Sequence, residues 1–170
     1  MMKIWLLLVG LLFAALCSAQ EQESVDDLRP PTLLGKMAPE YPVQKWINRE
    51  SKKSDKKLTL LYFWSTSSPK AAYIDIPRFN KFAKEFGDKL NIIGLSNDAP
   101  EFISDIEPAL EFPYAYAPEA VKNFKIKIPG YCYIIDPRGK VIYEGFPLLE
   151  GETITEKFLK KLIKKHYKKK

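Results

Sequence analysis

The sequence predicts an α/β protein with a mixed central sheet and helices on both faces. Segments typical of strands and of helices alternate along the chain, an order that favours a sheet with a parallel core. Residues 58–64 form an almost continuous apolar run, which is typical of a strand buried on both faces. The turn sequence at residues 136–139 joins two further strand-like runs, so we expect an antiparallel hairpin at one side of the sheet.

Hydrophobic spacing and helix start and stop signals define the individual elements. Strands are predicted at residues 58–64, 90–96, 131–135 and 141–143, and residues 112–117 are expected to be extended. Helices are predicted at residues 69–86, 98–106, 119–124 and 152–166. Ser67 or Ser68 is the expected N-cap of the first helix, and Asp98 that of the second. Pro77 lies inside the first helix and is expected to kink it.

Length and composition exclude several classes of protein. A chain of 170 residues favours one domain, since domains usually contain about 100–200 residues. Apolar types make up 46% of the chain, which is enough for a core and excludes extensive disorder. Two cysteines are too few for a small disulfide-stapled protein, and the single histidine, His166, argues against a zinc site. Phosphate-binding and dinucleotide-binding motifs are missing, so we expect no cofactor, no metal and no nucleic-acid partner.

The first residues of the chain resemble an export signal. Lys3 precedes an apolar run at residues 4–16, and small residues at 17–19 form a cleavage site. We therefore predict a signal peptide at residues 1–19, cleaved after Ala19, and a periplasmic or secreted product. An uncleaved anchor or lipid attachment at Cys17 remains the alternative. After cleavage Cys132 is the one cysteine left, and no intramolecular disulfide can form.

The remainder divides into three parts by composition. Residues 20–31 are polar and acidic and end in two prolines, so we interpret them as a flexible lead. Residues 32–166 form the predicted domain, and residues 167–170 form a lysine-rich tail. Residues 157–170 contain eight lysines and no acid, which indicates possible weak contact of this end with anionic surfaces.

Five segments of the chain carry a resemblance to a known family. One is Leu-Leu-Tyr-Phe-Trp-Ser-Thr at residues 60–66, and the others lie at residues 35–40, 76–80, 91–96 and 133–141. In this order they resemble segments of the thioredoxin-like superfamily, in particular the exported thiol-disulfide oxidoreductases of the TlpA and ResA type, in which the strand similar to residues 60–66 precedes the redox site. The resemblance covers roughly residues 34–163 and implies a thioredoxin-like fold.

The sequence departs from this family at the redox site. Family members have a Cys-x-x-Cys motif directly after the first core strand. Counting from Trp64, the two cysteine positions are Ser68 and Ala71. Counting back from Pro77, they are Pro69 and Ala72. Neither count places a cysteine at these positions. This matters because disulfide exchange needs a thiolate and a second thiol.

The second functional element of the family is a cis-proline loop that faces the cysteines. Pro129 and Gly130 occupy this part of the sequence, and a cis bond before Pro129 is one possibility. Cys132 lies two residues beyond Gly130, either as a buried inert thiol or as an exposed one near the groove.

These observations favour a thioredoxin-like domain that has lost two-cysteine chemistry and serves as a binding or accessory module. A protein or peptide partner is expected in the thioredoxin-type groove, and the residues expected to line it are Trp64, Ser68, Pro69, Pro129 and Gly130. The alternative is a thiol-disulfide oxidoreductase that acts through Cys132 alone. The resemblance by itself does not decide between them, because one fold can host several functions.

Overall fold

A mixed sheet of six strands lies at the centre of the part of the chain that the computed structural model describes, residues 26–51, 56–68 and 71–167. This architecture confirms the predicted α/β fold class. The strand order is β1-β4-β3-β2-β5-β6, with β2, β3 and β4 parallel and the other pairings antiparallel. The strands are β1 Lys45–Trp46, β2 Leu58–Phe63, β3 Leu90–Ser96, β4 Tyr114–Tyr116, β5 Tyr131–Ile135 and β6 Val141–Gly145.

Four α-helices accompany the sheet within these described ranges. They are α1 Ile76–Phe86, α2 Pro100–Ile103, α3 Pro118–Asn123 and α4 Glu156–Tyr167, and a π-helical turn, Ala71–Asp75, leads directly into α1. The edge strand β1 lies in a segment for which the sequence predicted no strand. With two residues, it is too short to give an alternating pattern.

The sheet separates two layers of apolar side chains, because successive residues of a strand point to opposite faces. Leu60 and Tyr62 of β2 face α1 and α4, while Leu61 and Phe63 face α3 and the N-terminal segment. The first layer includes Ile76, Phe79, Phe82, Phe86, Leu159 and Ile163. These are the apolar positions whose helical spacing identified α1 and α4 in the sequence.

The start of the first helix differs from the expectation. In place of a kinked α-helix, the chain forms the π-helical turn and changes to α-helix at Ile76, which puts Pro77 in the first turn of α1. Proline fits there because amides of the first turn have no intrahelical partner. Pro69, the expected first helical residue, lies outside the described residues.

Two further helix starts were predicted too early. Helix α2 begins at Pro100 and spans four residues, because the carboxylate of Asp98 bonds to Thr66 across the sheet end and does not cap the helix. Helix α4 begins at Glu156 and not at Glu152, whose carboxylate pairs with Arg29. In both cases a long-range partner holds the polar residue outside the helix.

The described part of the predicted lead makes specific contacts. Arg29 pairs with Glu152, and Pro30 is buried. Lys127 donates a hydrogen bond to the carbonyl oxygen of Asp27, with an N···O distance of 2.6 Å. The predicted signal peptide, residues 20–25 of the lead and residues 168–170 lie outside the described residues. Among the helices that are described, none has the length and hydrophobicity to cross a membrane.

Candidate functional site

A tight turn at residues 65–68, here called the serine turn, follows β2 at the end of the parallel strands. The amide of Ser68 donates to the carbonyl of Ser65 at 3.1 Å, which closes the turn. The amide of Ser67 donates to the hydroxyl oxygen of Ser65 at 3.1 Å, and the two serine hydroxyls are 2.8 Å apart. Ser65 is buried, so the turn is fixed from its inner side.

Asp98, from the loop after β3, holds this turn in place. Its carboxylate accepts hydrogen bonds from the Thr66 amide at 2.7 Å, the Thr66 hydroxyl at 3.0 Å and the Ser65 hydroxyl at 3.2 Å. The Asp98 amide in turn donates to the hydroxyl of the buried Ser96 at 3.0 Å. Sequence reasoning missed this role of Asp98. The available signal was that polar residues follow two parallel strands, whose carboxyl ends meet at one sheet edge.

The loop at residues 126–130, here called the proline loop, lies beside the serine turn. The amide of Gly130 donates to the carbonyl of Phe63 at the end of β2, with an N···O distance of 2.6 Å. Gly130 has φ +100, a left-handed conformation that favours glycine. In the described chain the cis peptide bond joins Glu107 and Pro108, so the bond between Ile128 and Pro129 is trans.

A pocket of about 210 Å³, here called the groove, separates the serine turn from the segment after β6. Most of its lining is apolar, and it brings together three of the residues predicted to bind a partner: Ser68, Pro129 and Gly130. The remaining lining residues are Asp75, Ile128, Phe146, Leu148 and Leu149.

A second pocket, of about 270 Å³, lies on the other side of the proline loop. Trp64 borders it, as do Ser65, Asp98 and Lys127, which make this pocket more polar than the groove. The ring of Trp64 is buried and packs against Tyr114, with ring centroids 6.0 Å apart. Of the other predicted positions, Ala71 begins the π-helical turn, and Pro69 lies outside the described residues.

Two neutral groups lie beneath the groove. The hydroxyl of Tyr62 donates to a carboxylate oxygen of the buried Asp75 at 3.0 Å. Burial and the charge of Asp75 raise the pKa of Tyr62, so the phenol stays protonated. Burial and the same charge also raise the pKa of the Cys132 thiol.

Cys132 lies on β5, between β2 and the edge strand β6, and has 0% exposure. It is paired with Tyr62 of β2 on one side and with Gly145 of β6 on the other. A thiol nucleophile needs access and thiolate character, and this environment provides neither.

The far wall of the groove is fixed by Glu152. Its carboxylate accepts a hydrogen bond from the Phe146 amide at 2.8 Å and pairs with Arg29, whose guanidinium lies 5.5 Å from the Phe146 ring centroid. Burial alone would raise the pKa of Glu152, but the hydrogen bonds from Arg29 and the Phe146 amide lower it. This pairing holds residues 146–149 in position.

Potential metal ligands do not cluster in the described residues. No group of three or more His, Cys, Asp or Glu side chains there could hold a metal ion. What the site offers is an apolar groove beside a hydrogen-bonded turn.

Comparison with solved structures identifies similar folds. A thiol-disulfide isomerase from Corynebacterium glutamicum is 18% identical, with 85% of this chain and 99% of that chain covered and a TM-score of 0.59. A thioredoxin-like protein in its oxidised form is 22% identical, with coverage of 81% and 95% and a TM-score of 0.60. The reduced 2-Cys peroxiredoxin of Plasmodium vivax is 16% identical, with coverage of 82% and 85% and a TM-score of 0.62.

These likenesses show that the chain has the thioredoxin-like fold. At such identities they show the fold alone, and the chemistry must be argued from the site. Neither a family model nor a curated protein matches the sequence.

Proposed function

We propose that this thioredoxin-like chain is a binding module that holds an extended peptide or partner chain in the groove and exchanges no disulfides. The observation that carries the proposal is the absence of a usable thiol at the end of β2. The positions that correspond to the family's cysteines are Ser68 and Ala71, or Pro69 and Ala72 by the second count. Cys132 is enclosed in the sheet.

The chemistry of exchange supports this proposal. A disulfide is broken by a thiolate, and a second thiol resolves the mixed disulfide. A serine hydroxyl at position 68 can form no disulfide. The Cys132 side chain lies in the core layer between the sheet and the helices α1 and α4, so it could act only if that layer opened and exposed apolar surface to water.

The groove has the apolar surface and the fixed walls that peptide binding needs. Ile128, Phe146 and Leu148 offer apolar contact surface, and the Asp98 and Glu152 hydrogen bonds hold the two sides in position. A rigid groove loses little conformational freedom when a chain binds, which favours affinity.

Binding is tested with a probe that has no free thiol. Fluorescein-labelled insulin B chain, with its thiols blocked as neutral carbamidomethyl groups, should bind with the same affinity to the wild type and to Cys132→Ser, as measured by fluorescence anisotropy. Leu148→Asp, which puts a charge on the groove wall, should weaken binding by at least tenfold. Leu34→Asp is the matched control, because Leu34 is an exposed leucine outside the groove. Equal weakening by the two substitutions, or no binding at all, would contradict the proposal.

We also propose that the chain is exported and cleaved after Ala19. The charged start, apolar run and small residues at 17–19 support this proposal. Mass spectrometry of the protein purified from its native envelope should find Gln20 as the first residue. An intact N-terminus at Met1 would contradict it.

A further inference from the structure

One edge of the molecule near the groove has an uncompensated negative charge. Residues 90–121 contain six acidic side chains and no lysine or arginine. Three of the six have partners in the structure: Asp98 bonds to the serine turn, Glu111 pairs with Lys84, and Glu119 pairs with Lys122. The other three, Glu101, Asp105 and Glu107, are exposed and form no ion pair within the described part of the chain. We call these three residues the acidic patch.

Large apolar side chains lie exposed at the same end of the molecule. Tyr73 is 77% exposed, Phe102 is 67% exposed and Ile74 is 44% exposed. Phe102 follows Glu101 directly, while its neighbour Ile103 is buried in the core. Exposed aromatic residues beside a groove are typical of interaction surfaces.

The first turns of the helical segment connect the groove to the acidic patch. On one flank of α1, Arg78 donates to the carbonyl of Pro147, beside the groove wall, at 3.1 Å. On the opposite flank, Asn80 donates to the carbonyl of Ala109, next to the acidic segment, at 2.9 Å.

The two exposed residues belong to the π-helical turn that leads into α1. Ile74 directly precedes Asp75, which lines the groove. Tyr73 is the next residue towards the N-terminus in the same turn. The segment with Phe102 is tied to the same end of the molecule, since Asp98 bonds to Thr66. One surface therefore extends from the groove over Ile74 and Tyr73 to Phe102 and the acidic patch.

We propose that this surface docks a cationic partner segment, an extended chain with an apolar residue in the groove and lysine or arginine residues over the acidic patch. The inference rests on the proposed function and adds the charge of the partner. Charge complementarity supports it, because three unpaired carboxylates favour cations and repel an acidic chain. An anionic partner would instead be attracted to the lysine-rich helix α4. The C-terminal end of α4 lies beside Lys56 and Lys89, which precede β2 and β3. This is the end of the two strands away from the groove.

The test uses two fluorescein-labelled peptides that share an apolar Gly-Leu-Val-Leu segment. Four lysines follow this segment in one peptide, and four glutamates follow it in the other. At low ionic strength the lysine peptide should bind the full chain at least tenfold more tightly than the glutamate peptide, and added salt should reduce this difference. Phe102→Ala should weaken binding of the lysine peptide severalfold.

Charge-neutralising variants assign the effect to the acidic patch. Glu101→Gln/Asp105→Asn/Glu107→Gln should weaken binding of the lysine peptide about tenfold, since three exposed ion pairs are lost together. The matched control, Glu40→Gln/Glu50→Gln/Asp88→Asn, removes three exposed acids elsewhere and should change affinity less than twofold.

The outcomes separate this inference from the proposed function. If both peptides bind equally and Leu148→Asp weakens both, the groove binds peptides but the cationic preference is wrong. If the control variant weakens binding as much as the patch variant, the attraction is non-specific and the inference is again overturned. If the lysine peptide, the glutamate peptide and the carbamidomethylated B chain all fail to bind, both proposals are overturned together.

Discussion

Among single residues, Cys132 bears most directly on what the protein can do. Its thiol is buried in the sheet, and burial raises its pKa, so the neutral form is stabilised and solvent has no access. A cysteine in this environment behaves as a small apolar side chain.

The first prediction follows from this burial. In a Cys17→Ser background, where Cys132 is the single cysteine, the native protein should react with Ellman's reagent at least a hundredfold more slowly than the urea-unfolded protein. Absorbance at neutral pH measures both rates. Reaction of the native thiol at the rate of the unfolded chain would show that Cys132 is accessible and would support the single-cysteine enzyme.

Single residues also show the limit of sequence reasoning. Ser68 was predicted from its position relative to Trp64, and Pro129 and Gly130 from the resemblance to the family's cis-proline loop. The structure brings these three residues together in the groove. The predicted strand at residues 131–135 placed Cys132 in the sheet, but the face that its side chain takes could not be predicted, because both faces are covered and alternation does not distinguish them.

Between elements, Asp98 links the loop after β3 to the serine turn. Replacing it with alanine removes an acceptor of three hydrogen bonds and leaves the Thr66 amide without this partner. We expect Asp98→Ala to lower the free energy of unfolding by roughly 1–2 kcal/mol, measured by urea denaturation. Asp98→Asn, which keeps an acceptor oxygen, should recover part of the loss. An unchanged stability of Asp98→Ala would mean that the turn does not depend on this contact.

The pair of Arg29 and Glu152 gives a pH-dependent prediction. Because the pKa of Glu152 is lowered in the folded protein, its contribution to stability is present above the unfolded pKa of about 4.3 and is lost as the pH falls through the lower folded value. We expect Glu152→Gln to reduce the free energy of unfolding by roughly 1–2 kcal/mol at pH 7. The difference from the wild type should shrink towards zero at pH 3.

Urea denaturation at the two pH values measures this difference, and Glu150→Gln, at a neighbouring exposed acid, is the control. A difference for Glu152→Gln that is the same at pH 7 and pH 3 would contradict the assigned role of the carboxylate.

The elements themselves were predictable to different degrees. Strands β2, β3 and β5 were recognised because long apolar runs identify buried strands without knowledge of their partners. The starts of α2 and α4 were not recognised, because they depend on long-range hydrogen bonds. Asp98 bonds to a residue 32 positions away, and Glu152 bonds to a residue 123 positions away. Spacing along the chain contains no information about such partners. The contact of Arg29 with the groove wall was missed for the same reason.

At the scale of the whole molecule, the thioredoxin-like fold does not by itself imply thiol-disulfide chemistry. The sheet order, the turn after β2 and the neighbouring proline loop give a thioredoxin-like framework with a groove. The sequence has no Cys-x-x-Cys motif, and Cys132 is buried in the core. A framework of this kind supports binding without turnover, which is the account proposed here.

Reduction of insulin by dithiothreitol, followed by turbidity, tests this account most directly when three proteins are compared. The wild type and Cys132→Ser should both give the uncatalysed rate. Ser68→Cys/Ala71→Cys, in the Cys132→Ser background, should accelerate reduction, because a cysteine three residues before the π-helical turn that begins at Ala71 faces the positive end of the helical segment and has a resolving partner. Catalysis by the wild type that disappears in Cys132→Ser would contradict the central claim that this chain binds without exchanging disulfides.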